Sequence, residues 1–145
     1  MKITFYGHSS IGIEVSGKHI LVDPFISGNP NASHIDINSL HADYILLTHA
    51  HNDHTLDVEA IAKRTNAIIV STYEVAAHFG EKGLQFHPMN HGGSWQFDFG
   101  KVKVVNAIHS SSFTDGSYGG NPAGFVIEGE HKNIYISGDT ALTMD

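Results

Sequence analysis

The sequence predicts an α/β domain with some α+β character, in which strands and helices alternate in the middle and strands alone follow. Apolar runs at residues 44–48 and 67–70 are typical of strands buried on both faces, and a segment with helical spacing follows each. From Trp95 onward, only short strand patterns separated by Gly-containing turns remain. Because no linker, repeat or low-complexity tract interrupts the chain, we expect one domain over residues 1–145.

Three short strands are predicted at the start of the chain, at residues 3–6, 10–15 and 19–23. The Ser16-Gly17-Lys18 turn joins the second strand to the third as a hairpin. Pro24 ends the third strand, and we assign Asp23 to the turn that precedes it. Residues 27–43, with several Gly, Asn and Ser, predict an irregular loop.

Two helices are predicted in the middle of the chain. The first covers residues 56–65, with Thr55 as its cap and Ile61 on its buried face. The second begins at a capping box formed by residues 71–74 and ends at Gly80. Four further strands are predicted at residues 95–97, 102–108, 124–127 and 133–137. The long loop over residues 110–121 is of the kind that often lines a functional site.

Composition excludes several classes of function. The 8 Lys+Arg against 15 Asp+Glu give a net charge of −7, which argues against a nucleic-acid partner. The sequence contains no run of about 18 apolar residues, so it predicts no membrane-spanning helix. The chain has no cysteine, so disulfides, thiolate nucleophiles and sulfur-ligated metal sites are excluded. Since the first residues turn polar too early for a secretory leader, we expect a cytoplasmic protein.

Histidine is the residue type that points to chemistry, since 12 His outnumber all Lys and Arg. His49, His51, Asp53 and His54 directly follow the buried strand at residues 44–48. His49 and His51 are two positions apart, so on extended backbone they face the same side. Imidazole and carboxylate suit zinc or manganese, and α/β folds bind ligands where such strands end. A solvated His-rich loop is the alternative, but this spacing favours a divalent metal site.

The segment from His49 to His54 resembles the His-x-His-x-Asp-His motif of the metallo-β-lactamase superfamily, which also includes glyoxalase II and RNase Z-like enzymes. Other segments that carry the resemblance follow in order at residues 7–10, 21–25, 45–49, 87–90, 107–112 and 137–140. Together they resemble a branch of metal-dependent hydrolases similar to L-ascorbate 6-phosphate lactonase. The resemblance implies a four-layer αββα sandwich, truncated here in its C-terminal half.

The resemblance also implies two groups of metal ligands. His49, His51 and His109 would bind the first metal, and Asp53 and His54 would bind the second. Asp139 would be shared by both. His109 and Asp139 each end a predicted strand and open a loop, which supports them independently of the resemblance. A second metal normally takes one more histidine, and none follows His131. We therefore expect one or two divalent ions, Zn or Mn.

The function implied is a metal-dependent hydrolase that directs a metal-activated hydroxide at a small ester, lactone or phosphoester. Asp53 would orient the hydroxide, and His8, in a Gly-His-Ser turn, would line the site. Two alternatives stay open: a non-catalytic metal-binding scaffold or sensor, and an RNase Z-like nuclease.

The expected partner is a small-molecule substrate, with neither nucleic acid nor membrane. Oligomeric state stays open, because either a homo-oligomer or association with the missing C-terminal part would cover exposed apolar faces. The histidines without a surrounding motif are predicted to be solvated: His19, His34, His41, His78 and His131. Residues 87–91 are predicted to form a surface loop.

Overall fold

The computed structural model describes residues Met1–Asp145 as two β-sheets, with helices packed against one of them. The six-stranded sheet contains, in chain order, β1 (Lys2–Gly7), β2 (Ser10–Val15), β3 (Lys18–Val22), β4 (Tyr44–Leu46), β5 (Ile68–Thr72) and β6 (Phe86–Met89). The four-stranded sheet contains β7 (Ser94–Phe97), β8 (Gly100–Asn106), β9 (Ala123–Gly129) and β10 (Lys132–Ile136). The helices are α1 (Asn52–Thr55), α2 (Val58–Thr65) and α3 (Tyr73–Gly80).

Strand direction brings several strand ends to one edge of the molecule. In the six-stranded sheet, β1 to β3 pair antiparallel, whereas β3 to β6 run parallel. The four-stranded sheet is an antiparallel meander in the order β10-β9-β8-β7. The amide of Ala123, which begins β9, donates to the carbonyl of Thr48 just beyond β4, at 2.9 Å. This bond joins the two sheets where β4 ends, so the loops after β4, β8 and β10 meet there.

Two apolar cores hold the layers together. Between the sheets, Leu46 from one sheet and Phe125 and Val104 from the other are fully buried in a single cluster. On the opposite face of the six-stranded sheet, Ile69 packs in a second cluster with Ile61 of α2 and other helix side chains. Burial on both faces explains the continuous apolar runs in β4 and β5. Residues 1–145 thus form three of the four layers expected, because no helix covers the outer face of the four-stranded sheet.

Most predicted elements are confirmed within one or two residues, but one strand was missed. β6 contains Pro88, which lacks the amide that a central strand needs, so residues 87–91 looked like a loop. Because β6 lies at the edge of its sheet, proline is tolerated there.

Both predicted helix caps were wrong. Thr55 lies inside α1 and donates to the carbonyl of His51 at 3.0 Å, while Asp57 occupies the N-cap position of α2. The capping box before α3 does not form, since Thr72 makes no side-chain cap. Ser71 donates instead to the carbonyl of Leu47 at 2.7 Å and ties β5 to the end of β4. In both places the hydroxyl donates to a carbonyl of the segment that follows β4.

The edges of the sheets carry exposed apolar side chains. Ile3 and Phe5 of the edge strand β1 are 56% and 69% exposed. Such side chains favour association with another surface, which stays a prediction here. None of the three helices is long and apolar enough to cross a bilayer.

Candidate metal centre

The predicted site residues meet at the edge where the sheets join. The histidine–aspartate cluster consists of seven residues: His8, His49, His51, Asp53, His54, His109 and Asp139. His8 lies in the β1–β2 turn, and His49 and His51 follow β4. Asp53 and His54 lie on α1, whereas His109 and Asp139 follow β8 and β10. Four separate segments of the chain, at residues 8, 49–54, 109 and 139, therefore contribute to one cluster.

Three groups within the cluster have donor atoms close enough to share a cation. In each group all ligand atoms lie within 4.8 Å of one another: His49, His51 and His109; His49, His54 and Asp139; His8, Asp53 and His54. Asp139 Oδ2 lies 3.6 Å from His109 Nε2 and 3.5 Å from His54 Nε2. This carboxylate thus stands between the two sets of imidazoles, at the place where the resemblance implied a shared ligand.

His49 is fully buried and has a lone pair directed into the cluster. Burial first, and then the nearby His54 and His51 rings, lower the pKa of His49 to about 3. Its Nδ1 lies 3.0 Å from Thr48 Oγ1, and Thr48 Oγ1 donates its own proton to Asp23 at 2.7 Å. With that proton committed, Thr48 accepts from His49 Nδ1, which leaves Nε2 unprotonated, 3.0 Å from His51 Nδ1. A neutral imidazole with a free Nε2 is the form that binds a metal.

Asp23 organises this region and was wrongly assigned to a simple turn. Its side chain is completely buried, and its backbone adopts a φ of 44°. One carboxylate oxygen accepts from the amide of Thr48 at 2.8 Å. The other lies 2.9 Å from His54 Nδ1. Asp23 therefore fixes the residue before His49 and the His54 ring together. A carboxylate that orients a metal-binding histidine is a recurring feature of metal sites.

His54 Nε2 is the observation that favours a metal most directly. It is a buried nitrogen with no hydrogen-bond partner, although buried polar atoms are normally paired. Burial alone would lower the pKa of His54, but its hydrogen bond to Asp23 and the charges of Asp139 and Asp53 raise it overall. This donor set of nitrogen and carboxylate oxygen atoms, with one buried nitrogen unpaired, fits a divalent cation.

His8 and Asp53 form a pair on the outer side of the cluster. His8 Nε2 lies 3.0 Å from Asp53 Oδ2, and both side chains are partly exposed. Burial would raise the pKa of Asp53, but the neighbouring His54 and His8 hold it below its ordinary value. Asp53 is therefore ionised at neutral pH, and its partner His8 faces solvent where a substrate could reach it.

The loop over residues 107–122 is anchored directly to the loop after β4. Ser111 Oγ accepts from the amide of Ala50 at 3.1 Å and donates to the carbonyl of Gly119 at 2.8 Å. Ser110 Oγ lies 3.3 Å from His51 Nε2. The resemblance included these serines but assigned them no role. These hydrogen bonds fix the positions of His109 and His51 relative to each other across the two sheets.

Comparisons with known proteins agree with this geometry. A family model described as beta-lactamase superfamily domain matches residues 18–145. A protein of Flavobacterium johnsoniae named UPF0173 metal-dependent hydrolase is 76% identical over 145 residues, which is all of this chain and 64% of that protein. A protein of the same name from Christiangramia forsetii is 69% identical and is covered to 65%. The chain thus spans less than two thirds of these relatives.

A solved structure supports the fold independently. Igni18, described as a novel metallo hydrolase from the hyperthermophilic archaeon Ignicoccus hospitalis, superposes with a TM-score of 0.85 at 33% identity. The match covers 98% of this chain and 62% of the Igni18 chain. The family match over most of the chain, the two-sheet architecture and this superposition lead to one conclusion. The chain belongs to the metallo-β-lactamase superfamily and has its fold.

Proposed function

We propose that this chain supplies the metal centre of a metal-dependent hydrolase that acts on a small ester, lactone or phosphoester. The observation that carries the proposal is the convergence of His49, His51 and His109 beside Asp139, with the unpaired Nε2 of His54 facing the same carboxylate. The names of the relatives support hydrolysis, and a substrate is inferred from chemistry alone. The lack of cysteine fits a reducing compartment, and a cytoplasmic location is part of the proposal.

In this proposal, His49, His51 and His109 hold one divalent ion, zinc or manganese. Asp53 and His54 would hold a second ion where two are bound, and Asp139 would serve both. A divalent cation held there would supply Lewis acidity to the attacking water and to a carbonyl or phosphoryl oxygen of the substrate.

The remaining steps fall to two catalytic residues of this chain. Asp53, ionised and 3.0 Å from His8, accepts a hydrogen bond from the attacking water and orients it. His8 is exposed beside Asp53, and in this proposal its side chain protonates the departing oxygen of the substrate. General acid catalysis of this kind contributes about 10²–10⁴-fold to a rate.

The test of this function measures hydrolysis by the natural gene product that contains residues 1–145. We expect a chelator to lower hydrolysis of a generic carboxylic ester or phosphodiester by more than about 100-fold, and zinc or manganese to restore it. His109→Ala is expected to abolish the restored activity, whereas the exposed control His41→Ala is expected to retain it.

The alternatives predict different outcomes of the same test. Bound metal without turnover of either substrate class would favour a metal-binding scaffold. Retention on single-stranded RNA at moderate salt, with cleavage, would favour a nuclease. Against a nuclease stands the net charge of −7, because a nucleic-acid partner normally needs a basic face.

Gly138 is expected to control the position of Asp139. Gly138 has a φ of +61°, and a Cβ there would lie 2.8 Å from the Ala123 carbonyl and 2.8 Å from Thr48 Cβ. Gly138→Ala must therefore move the backbone beside Asp139. We expect metal affinity to fall about tenfold, as it does when a residue that only orients a metal ligand is replaced.

A matched control is available at Gly83, which has a φ of +79° and where an added Cβ would meet no atom within 4 Å. Gly83→Ala carries the same left-handed strain, about 1–2 kcal/mol, without the clash. Calorimetric zinc titration of both variants is the measurement. Equal affinities would show that Asp139 does not depend on Gly138.

A further inference from the structure

The three histidines of the first ligand group can share a cation only if each ring turns an unprotonated nitrogen towards the others. A neutral imidazole carries its proton on one of two nitrogens, and the hydrogen bonds around the ring decide which one. The hydrogen-bond partners of each ring therefore decide whether that ring is ready to bind a metal.

For His49, the ring proton is held in place by its neighbours. Thr48 Oγ1 donates its own proton to Asp23 and accepts from His49 Nδ1 at 3.0 Å. His49 Nε2 is therefore an acceptor, and it lies 3.0 Å from His51 Nδ1. Two unprotonated nitrogens at that distance repel each other. A neutral His51 in the metal-free protein therefore keeps its proton on Nδ1 and donates it to His49.

The other nitrogen of His51 has a partner in Ser110. Ser110 Oγ lies 3.3 Å from His51 Nε2. A serine hydroxyl both donates and accepts, so it can pair with Nε2 whether or not that nitrogen carries the proton. Once Nδ1 is given to a cation, the proton of a neutral His51 belongs on Nε2. The same hydroxyl can then accept from it without any movement of the ring.

The backbone beside Ser110 is fixed against the loop that carries His51. Ser111 Oγ accepts from the amide of Ala50 at 3.1 Å and donates to the carbonyl of Gly119 at 2.8 Å. The amide of Gly119 returns a hydrogen bond to the Ser111 carbonyl at 3.1 Å. The two loops also touch closely, since a Cβ added to Gly119 would overlap Ala50 Cβ. Ser110 is therefore held next to His51 by the fold.

We propose that Ser110 is a positioning residue for the metal centre. Its hydroxyl donates to His51 Nε2 in the metal-free protein and accepts from Nε2–H when Nδ1 binds a divalent cation. The His51 ring thus keeps one orientation throughout, and its outer nitrogen is paired in both states. This inference rests on the proposed function, since it concerns the same metal centre.

Zinc titration calorimetry of the natural gene product that contains residues 1–145 is the first test. We expect Ser110→Ala to weaken zinc binding about tenfold, because water must replace the hydroxyl, and Ser110→Thr, which keeps a hydroxyl, to retain it. Ser117→Ala is the matched control, since Ser117 is an exposed serine of the same loop whose hydroxyl donates to Asp115 at 2.6 Å. Equal zinc affinity in folded Ser110→Ala and Ser117→Ala would overturn the proposal.

The second test locates the ring proton of His51 by long-range nitrogen–proton NMR on protein with isotope-labelled histidine. Spectra are recorded at about pH 8, above the ordinary histidine pKa of about 6.5. The His51 signals are those absent from the spectrum of His51→Gln. We expect the proton on Nδ1 without zinc and on Nε2 with zinc.

The exchange of that proton with water separates a hydrogen bond from a merely structural role. In zinc-loaded Ser110→Ala, the Nε2 proton of His51 is expected to exchange faster than in the unmodified protein, whereas Ser117→Ala is expected to leave the exchange rate unchanged. A proton already on Nε2 before zinc is added, or equal exchange rates in both variants, would overturn the role of Ser110.

The two proposals fail in different ways. Ester hydrolysis that depends on zinc, while Ser110→Ala binds zinc as tightly as the unmodified protein, overturns the role of Ser110 alone. Zinc binding that depends on Ser110, with no hydrolysis of any ester or phosphodiester, overturns the hydrolase and leaves Ser110 as a positioning residue in a metal-binding scaffold.

Discussion

Replacing Asp23 with alanine is expected to lower the free energy of unfolding by about 3–5 kcal/mol, the range seen when one partner of a buried charged pair is removed. Asp23→Ala removes the acceptor for the Thr48 amide and hydroxyl and for His54 Nδ1, all in a region closed to water. These groups would be left buried and unpaired. Urea unfolding with a chelator present is the measurement, so that bound metal makes no contribution.

Two further variants separate the role of Asp23 from that of carboxylates in general. Asp115→Ala removes an exposed carboxylate that bonds only within its own loop, and we expect a loss below about 1 kcal/mol. Asp23→Asn keeps one oxygen acceptor and is expected to fall between the other two. If Asp23→Ala unfolded at the same urea concentration as Asp115→Ala, the organising role of Asp23 would be refuted.

The second large effect is on metal affinity. Substitutions of groups that merely orient a ligand typically cost about 10–100-fold in affinity, so loss of a ligand itself is expected to exceed about 100-fold. We expect both His49→Ala and His109→Ala to reach that loss in zinc titration calorimetry. His41→Ala removes an exposed histidine whose ring contacts the His19 ring, and it is expected to bind zinc normally.

The comparison of His49→Ala with His109→Ala separates loss of a metal ligand from loss of folding. His49 is completely buried, so His49→Ala also leaves a cavity, whereas the His109 side chain is 35% exposed and is removed with little disturbance. Far-ultraviolet circular dichroism identifies any variant that fails to fold. Unchanged zinc affinity in folded His109→Ala would remove this residue from the centre.

Much of the site could be predicted because its residues share a sequence segment or a strand end. His49, His51, Asp53 and His54 lie within six positions, and β4 is buried strongly enough to be recognised from its apolar run. The position of His109 close to the end of a strand could also be predicted from the sequence. The distances between these side chains could not be predicted, because they depend on how the two sheets pack against each other.

Asp23 shows what local patterns leave out. Its partners Thr48 and His54 are 25 and 31 residues away, and an Asp-Pro pair is a common turn signal. A signal was available, since Asp23 directly follows β3, which pairs in parallel with β4, and therefore lies beside the loop after β4. The same lesson applies to β6, where Pro88 concealed a strand that is allowed only because it lies at the sheet edge.

The most direct test of the account is a crystal structure of the natural gene product grown with zinc, with anomalous data collected at the zinc edge. The account predicts a peak within about 2.0–2.1 Å of one nitrogen each from His49, His51 and His109. The Asp139 carboxylate is expected beside the same peak. Zinc bound instead at His19 and His41, or no peak among the three histidines, would contradict it.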